Sequence, residues 1–287
     1  MNALPYYLGC PSWKDEAWRN SFYPFDARSS EMLSLYTQVF NAVEGNTTHY
    51  ARPKPSTVQK WADAMPESFR FTAKFPNDIT HDGDLRLHVP AAEDFIRLMA
   101  PLGERVMPFW LQLPASFSPD RLPELAGFID AVQRPMAVEV RHMAFFQKGE
   151  HERTLNRLLL DRGVERICLD SRPLFSCLSN DTWVLHAQSR KPKVPVRPAA
   201  LTQFPQIRFI GRPELAANDP FLEQWVEKVA AWIEEGRTPY VFLHTPDNHL
   251  APHLAQRFHT QLMARLPGLA PLAELDRGPQ AEQLGLL

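Results

Sequence analysis

Along this chain, short apolar runs alternate with longer stretches in which apolar residues recur every three or four positions. The short runs fall at 6–10, 38–44, 69–75, 106–113, 136–141, 165–170, 206–210 and 239–244, and their length and composition read as strands. Met32, Leu35, Tyr36, Val39 and Phe40 trace the stripe of an amphipathic helix, entered through Ser29 and Ser30 as caps. Val58, Trp61, Ala62 and Met65 repeat it, as do Phe95, Leu98, Met99 and Leu102 after Pro90, and Leu122, Leu125, Ala126 and Ile129. Leu155, Leu158 and Leu159 give a further helix, stopped by Gly163. Leu222, Trp225, Val226, Val229 and Ile233 give the longest, opened by Asp219-Pro220 and stopped by Gly236, and Leu254, Phe258 and Leu262 close the series. Strict alternation of strand and helix predicts a parallel sheet covered by helices. Eight such units in ~250 residues match the size of a (β/α)8 TIM barrel. A doubly wound open sheet is the rival, but no GxGxxG follows the first strand. The expectation is a single α/β domain, a barrel over 1–266, with a long loop at about 171–205 partly overhanging the mouth and a tail over 267–287.

The apolar runs carry polar residues near their ends: Glu44, Lys74, Gln112, Glu139 and Arg141, Asp170, Arg208 and His244. An unpaired charge in an apolar interior costs several kcal/mol, so a chain that repeats the pattern strand after strand is building a site. Side chains alternate faces along a strand. In MAVEVRH, Val138 and Val140 share one face while Glu139 and Arg141 share the other; in FTAKF, Lys74 sides with Thr72 against Phe71, Ala73 and Phe75. One face is apolar and suits helices. The other turns polar toward its carboxyl end, where barrel sites lie.

Composition narrows the classes without choosing a reaction. Of 287 residues, 44% are apolar and 22% charged, as in a globular protein with a core that needs no metal or disulfide. Cys10, Cys168 and Cys177 form no CxxC pair, which suits a reducing, cytoplasmic setting. No signal-like segment opens the chain and no run approaches the ~20 residues of a membrane span. The formal charge of −2 offers no global attraction to a polyanion. The 27 prolines fall largely at the ends of runs, where they punctuate elements.

The blocks GCPSWKDEAW (with Gly9, Trp13 and Trp18) and FNAVEGNTTHYARP, together with FRFTAKFPNDITH, LQLPASF, AVEVRH and HTPDNHLAP, resemble the YecE-like family, catalogued as domain of unknown function seventy-two. The resemblance runs from Leu8 to about Leu262 and implies a TIM barrel, with no established activity attached. The chain departs from the family pattern at His49, where Phe is usual, at Gly45, where Ile is frequent, and in RFIGRP around Arg208, where a His is lost.

The functional reading is an enzyme that applies acid–base chemistry to a small anionic, phosphorylated or hydroxylated metabolite. Glu44, Glu139, Lys74 and Asp170 are the catalytic candidates. Lys74, Arg141 and Arg208 would clamp the anion, and Gln112, Asn46, Asn248, Tyr50, His142, His244 and Trp13 would complete the ligand site. His81 is a further acid–base candidate. No cofactor is predicted; a divalent metal would draw on Glu44, Glu139, Asp170 and His244, against three nearby cations. A second class is nucleic-acid binding or metal-dependent phosphodiester hydrolysis resembling apurinic endonuclease barrels, through Arg190, Lys191, Lys193 and Arg197 in RKPKVPVR. A third is a non-catalytic ligand-binding barrel.

Overall fold

In the computed structural model, which describes residues 4–276, the expected strands form close to their predicted places. They are β1 (Tyr7–Cys10), β2 (Ala42–Gly45), β3 (Arg70–Ala73), β4 (Phe109–Gln112), β5 (Met136–Glu139), β6 (Glu165–Arg166), β7 (Cys168–Asp170), β8 (Gln206–Ile210) and β9 (Tyr240–His244). All their pairings are parallel. Six strands make one sheet in the order β3-β2-β1-β9-β8-β7, and three make a second in the order β4-β5-β6. Single parallel bridges connect Phe71 with Val106 and Lys74 with Trp110, and the Phe75 amide donates to the Trp110 carbonyl at 2.9 Å. Only Ile167 separates β6 from β7, and its amide donates to the Val138 carbonyl of β5 at 2.9 Å.

Among the described residues eight longer helices alternate with the strands: α1 (Met32–Val39), α2 (Pro55–Ala64), α3 (Val89–Met99), α4 (Leu122–Val132), α5 (Glu150–Asp161), α6 (Thr182–Arg190), α7 (Asp219–Glu234) and α8 (Ala251–Arg265). The result is one mixed α/β domain with parallel sheets. Glu31, not Ser29 or Ser30, immediately precedes α1; Ser29 instead donates its hydroxyl to Glu16 at 3.0 Å. The stretch expected as a loop at 171–205 contains α6. Asp181 caps that helix by accepting from the Trp183 and Val184 amides at 2.7 and 3.3 Å.

The two faces of the strands have separate neighbours. Val43, Phe71, Leu111, Val138, Ile207 and Val241 join the helices in one large buried cluster. Residues of opposite parity from both sheets, Ala42, Trp110, Ala137, Ile167, Tyr240 and Phe242, pack together in a second, smaller one. Gly9 lets β1 and β2 come together, because a Cβ there would stand 2.0 Å from the Ala42 carbonyl oxygen. In the tail, Leu269, Leu272 and Leu275 pack against the large cluster; the rest of it, 277–287, lies outside the described residues. Cys10, Cys168 and Cys177 are buried free thiols. Among the described residues no helix is long and apolar enough to cross a membrane.

Candidate functional site

The helix-free face turns polar at the carboxyl ends of the strands, and the side chains there converge. Glu44 ends its run on β2, Lys74 follows β3, and Gln112, Glu139, Arg208 and His244 come from β4, β5, β8 and β9; each is at most 6% exposed. Glu44 is the hub. One carboxylate oxygen forms ion pairs with Lys74 Nζ at 2.7 Å and Arg208 Nε at 2.9 Å, and the other meets His244 Nε2 at 2.6 Å. Arg208 also reaches Glu139 at 3.1 Å, and Arg141 grips Glu139 through two nitrogens at 2.6 and 2.8 Å. Lys74 stands 5.1 Å from the Trp110 ring centroid and donates to Gln112 Oε1 at 3.3 Å. Gln112 Nε2 donates to His49 Nε2 at 3.2 Å, leaving His49 Nδ1 to donate to the Phe75 carbonyl at 3.1 Å.

Burial and charge set the protonation of this cluster. Burial alone would raise the Glu44 carboxyl, but Arg208, Lys74 and His244 outweigh it and hold it well below the usual carboxylate range. Burial likewise opposes ionisation of Glu139, yet Arg141, Arg208 and Lys74 bring it down to about 2. Lys74 is lowered to about 8 by burial and then by Arg208, against the pull of both carboxylates. Burial lowers His244 to about 3 and His49 to about 4, so both rings are neutral at ordinary pH. Three cations against two carboxylates leave the buried network positive.

Above this floor opens a cleft of about 680 Å³. Its walls include Asn46, Tyr50, Gln112, Arg141, Arg208, His244 and Asn248, all expected at the site. They also include His49, His81, His186, Arg190 and Lys191. Arg190 ends α6, and Lys191 follows it half-buried, lowered to about 7 by burial and then by Arg208. Tyr50 stands 77% exposed on the rim. Asn46 donates to the Pro11 carbonyl at 3.1 Å, and Asn248 adopts a left-handed φ of 67° with its carbonyl accepting from the Trp18 indole at 3.0 Å.

Three expected site residues stand elsewhere. Asp170 is on the helix-facing side of β7: Ile167 belongs to the small inner cluster, and alternation puts a residue three positions later on the opposite face. There it pairs with Arg172 at 2.7 Å and accepts from the Trp225 indole of α7 at 2.8 Å. This removes Asp170 from both the catalytic set and the four-residue metal set. Among the described residues no group of three or more His, Cys, Asp and Glu side chains is arranged to hold a metal ion. Trp13 packs edge-on against Trp61 at 5.4 Å and beside Phe71 at 6.1 Å, in the helix-side cluster. His142 accepts from the Ala144 amide at 3.3 Å, capping the turn after β5 outside the cleft. The basic loop divides: Arg190 and Lys191 reach the cleft, whereas Arg197 pairs with Glu152 at 2.8 Å and Lys193 lies 5.4 Å from the Phe175 ring centroid. A larger cavity of about 880 Å³ lies where the strands begin. There Arg162 pairs with Asp130 at 2.8 Å, and Glu165 accepts from the Leu201 and Thr202 amides.

The family described as "Protein of unknown function DUF72" matches residues 7–278. The chain belongs to the DUF72 family. This DUF72 protein is 40% identical over 273 residues to UPF0759 protein YecE of Escherichia coli (strain K12), covering 94% of this chain and 97% of that one. It is 20% identical over 285 residues to UPF0759 protein YunF of Bacillus subtilis (strain 168), covering 92% and 97%. Its fold is similar to the crystal structure of a DUF72 family protein from Enterococcus faecalis V583, with a TM-score of 0.68 at 19% identity, over 91% of this chain and 99% of that one.

Proposed function

We propose that this DUF72 protein is a (β/α)8 barrel whose carboxyl-end cleft binds a small phosphorylated or hydroxylated anion and performs acid–base chemistry on it. The barrel reading is supported by the bridges from β3 to the β4 region and by the near-continuity of β6 with β7, which link both pairs of sheet edges. The cleft then lies at the end of the strands where barrel enzymes keep their sites.

The observation that carries the functional reading is the imbalance of charge. Lys74, Arg141, Arg190, Lys191 and Arg208 surround the cleft and its floor, against Glu44 and Glu139. Both carboxylates are locked in ion pairs and strongly acidic, so they serve as counter-charges that aim the cations rather than as proton carriers. Proton transfer falls to Lys191, which lines the cleft and is held at about 7. Arg141 and Arg208 supply planar forks for a phosphate or carboxylate. Because only two of the four cations in RKPKVPVR reach the cleft, the arrangement favours a small anion over an extended one.

Thermal unfolding in rising concentrations of inorganic phosphate and of phosphorylated three- to six-carbon metabolites tests the clamp. A ligand at a hundred times its Kd stabilises by about 2.7 kcal/mol, so the best ligand should raise the wild-type Tm by several degrees. Arg141→Ala and Lys191→Ala should each lose most of that increment, measured from their own ligand-free Tm. Equal increments in wild type and both variants would remove the clamp.

A further inference from the structure

We infer that His244 recognises a hydroxyl on the bound anion, so that the cleft selects a hydroxylated phosphate ester over an alkyl one; this rests on the anion-binding reading above. His244 is buried at the end of β9, with Nε2 2.6 Å from Glu44 Oε2. An ionised carboxylate only accepts, so Nε2 carries the ring proton. A neutral imidazole has a single N–H, and Nδ1 is therefore a bare lone pair. That atom is buried and has no partner among the described residues, while the residue lines the cleft. Asn248 Oδ1 is a second buried acceptor without a partner on the same cleft.

Nδ1 is already unpaired in the free protein, so a ligand that brings a donor relieves a penalised buried acceptor, and a ligand without one leaves it unpaired. The donor is a hydroxyl rather than an ammonium, because the surrounding cations Arg208, Lys191 and Lys74 repel a positive group. Polar sites of this kind reject analogues that lack the donor far more strongly than apolar pockets reject a missing methylene. Glu44 thus acts through the ring as a positioning residue, fixing which nitrogen keeps a free pair.

Titration calorimetry with sn-glycerol 3-phosphate and n-propyl phosphate, which share chain length and phosphate, separates the parts, with inorganic phosphate as the anion control. Wild type should bind the glycerol ester at least about tenfold more tightly than the propyl ester. His244→Phe, which keeps a planar ring of similar size but offers no acceptor, should bind the two esters within about twofold of each other. Should that variant fail to fold, nitrogen-15 NMR of the wild-type ring decides: the unprotonated Nδ1 resonance should move upfield with saturating glycerol ester and stay in place with the propyl ester. Equal affinity of the two esters for wild type, or an unmoved Nδ1 resonance, overturns the hydroxyl reading while the anion clamp stands. Absence of binding by all three phosphates overturns both.

Discussion

His49, one of three positions where the sequence reading sets the chain apart from the family pattern, sits in the site wall with both ring nitrogens engaged. Its neutrality has a consequence for stability. An unfolded His takes up its proton near pH 6.5, while the folded ring waits until about 4. The unfolded chain therefore binds more protons between those values, and the stability from this group is full above about 6.5 and lost as pH falls toward about 4. The size is on the order of 3 kcal/mol. Glu139, brought down to about 2, has the same sign in a lower window: its contribution is present above the ordinary carboxylate value and declines as pH falls toward about 2. His49→Phe should flatten the slope of unfolding free energy against pH between about 4 and 6.5, measured by urea titration across that range. An unchanged slope would mean that the folded ring titrates normally.

At the scale of elements, strands were far more legible than the helix that completes the cleft. Runs such as AVEVR and QIRFI declare themselves because they are apolar on one face and carry a charge on the other, and the cost of burying that charge makes the pattern informative. By contrast, α6 buries only Val184 and Ala187, while Trp183 and Leu185 are exposed, so no apolar stripe marks it. Its signal was Asp181 followed by Trp183 and Val184, a cap that precedes no periodic run. His186, a wall residue on α6, therefore carries no signal in the apolar pattern. The cap also gives a test. Asp181→Ala removes an acceptor from two first-turn amides and should cost about 1 kcal/mol. Amide exchange at Val184–Ala187 should accelerate about fivefold, and phosphate affinity should weaken because Arg190 and Lys191 depend on this helix for their position. Unaltered exchange would place the stability of α6 in its packing alone, where Gln188 donates to the Leu174 and Cys177 carbonyls at 2.9 and 3.0 Å.

For the whole molecule, sequence alternation foresaw parallel strands under helices and correctly put Glu44 and Glu139 on the face away from the helices. Asp170 is the exception: alternation from the inward Ile167 puts it on the helix side, where it pairs with Arg172 two residues on and with the sequence-distant Trp225, neither of which any local pattern marks as a partner. Closure of the sheet is a property that no local pattern records, since it depends on the accumulated tilt and stagger of all the strands. It can be tested at the two seams. If the strands close, the Phe75 amide, bonded to the Trp110 carbonyl at 2.9 Å, and the Ile167 amide, bonded to the Val138 carbonyl at 2.9 Å, are interior ladder bonds rather than frayed edges. Both should then exchange by the same cooperative opening as Arg208 and Phe242 in the middle of the larger sheet, with protection within about tenfold of theirs. Open seams would instead let Phe75 and Ile167 exchange by local opening, orders of magnitude faster than the centre. The outcome also bears on the site: Glu44 and Lys74 sit on one side of the first seam and Gln112 and Glu139 on the other, so a seam that breathes would loosen the ion-pair network itself.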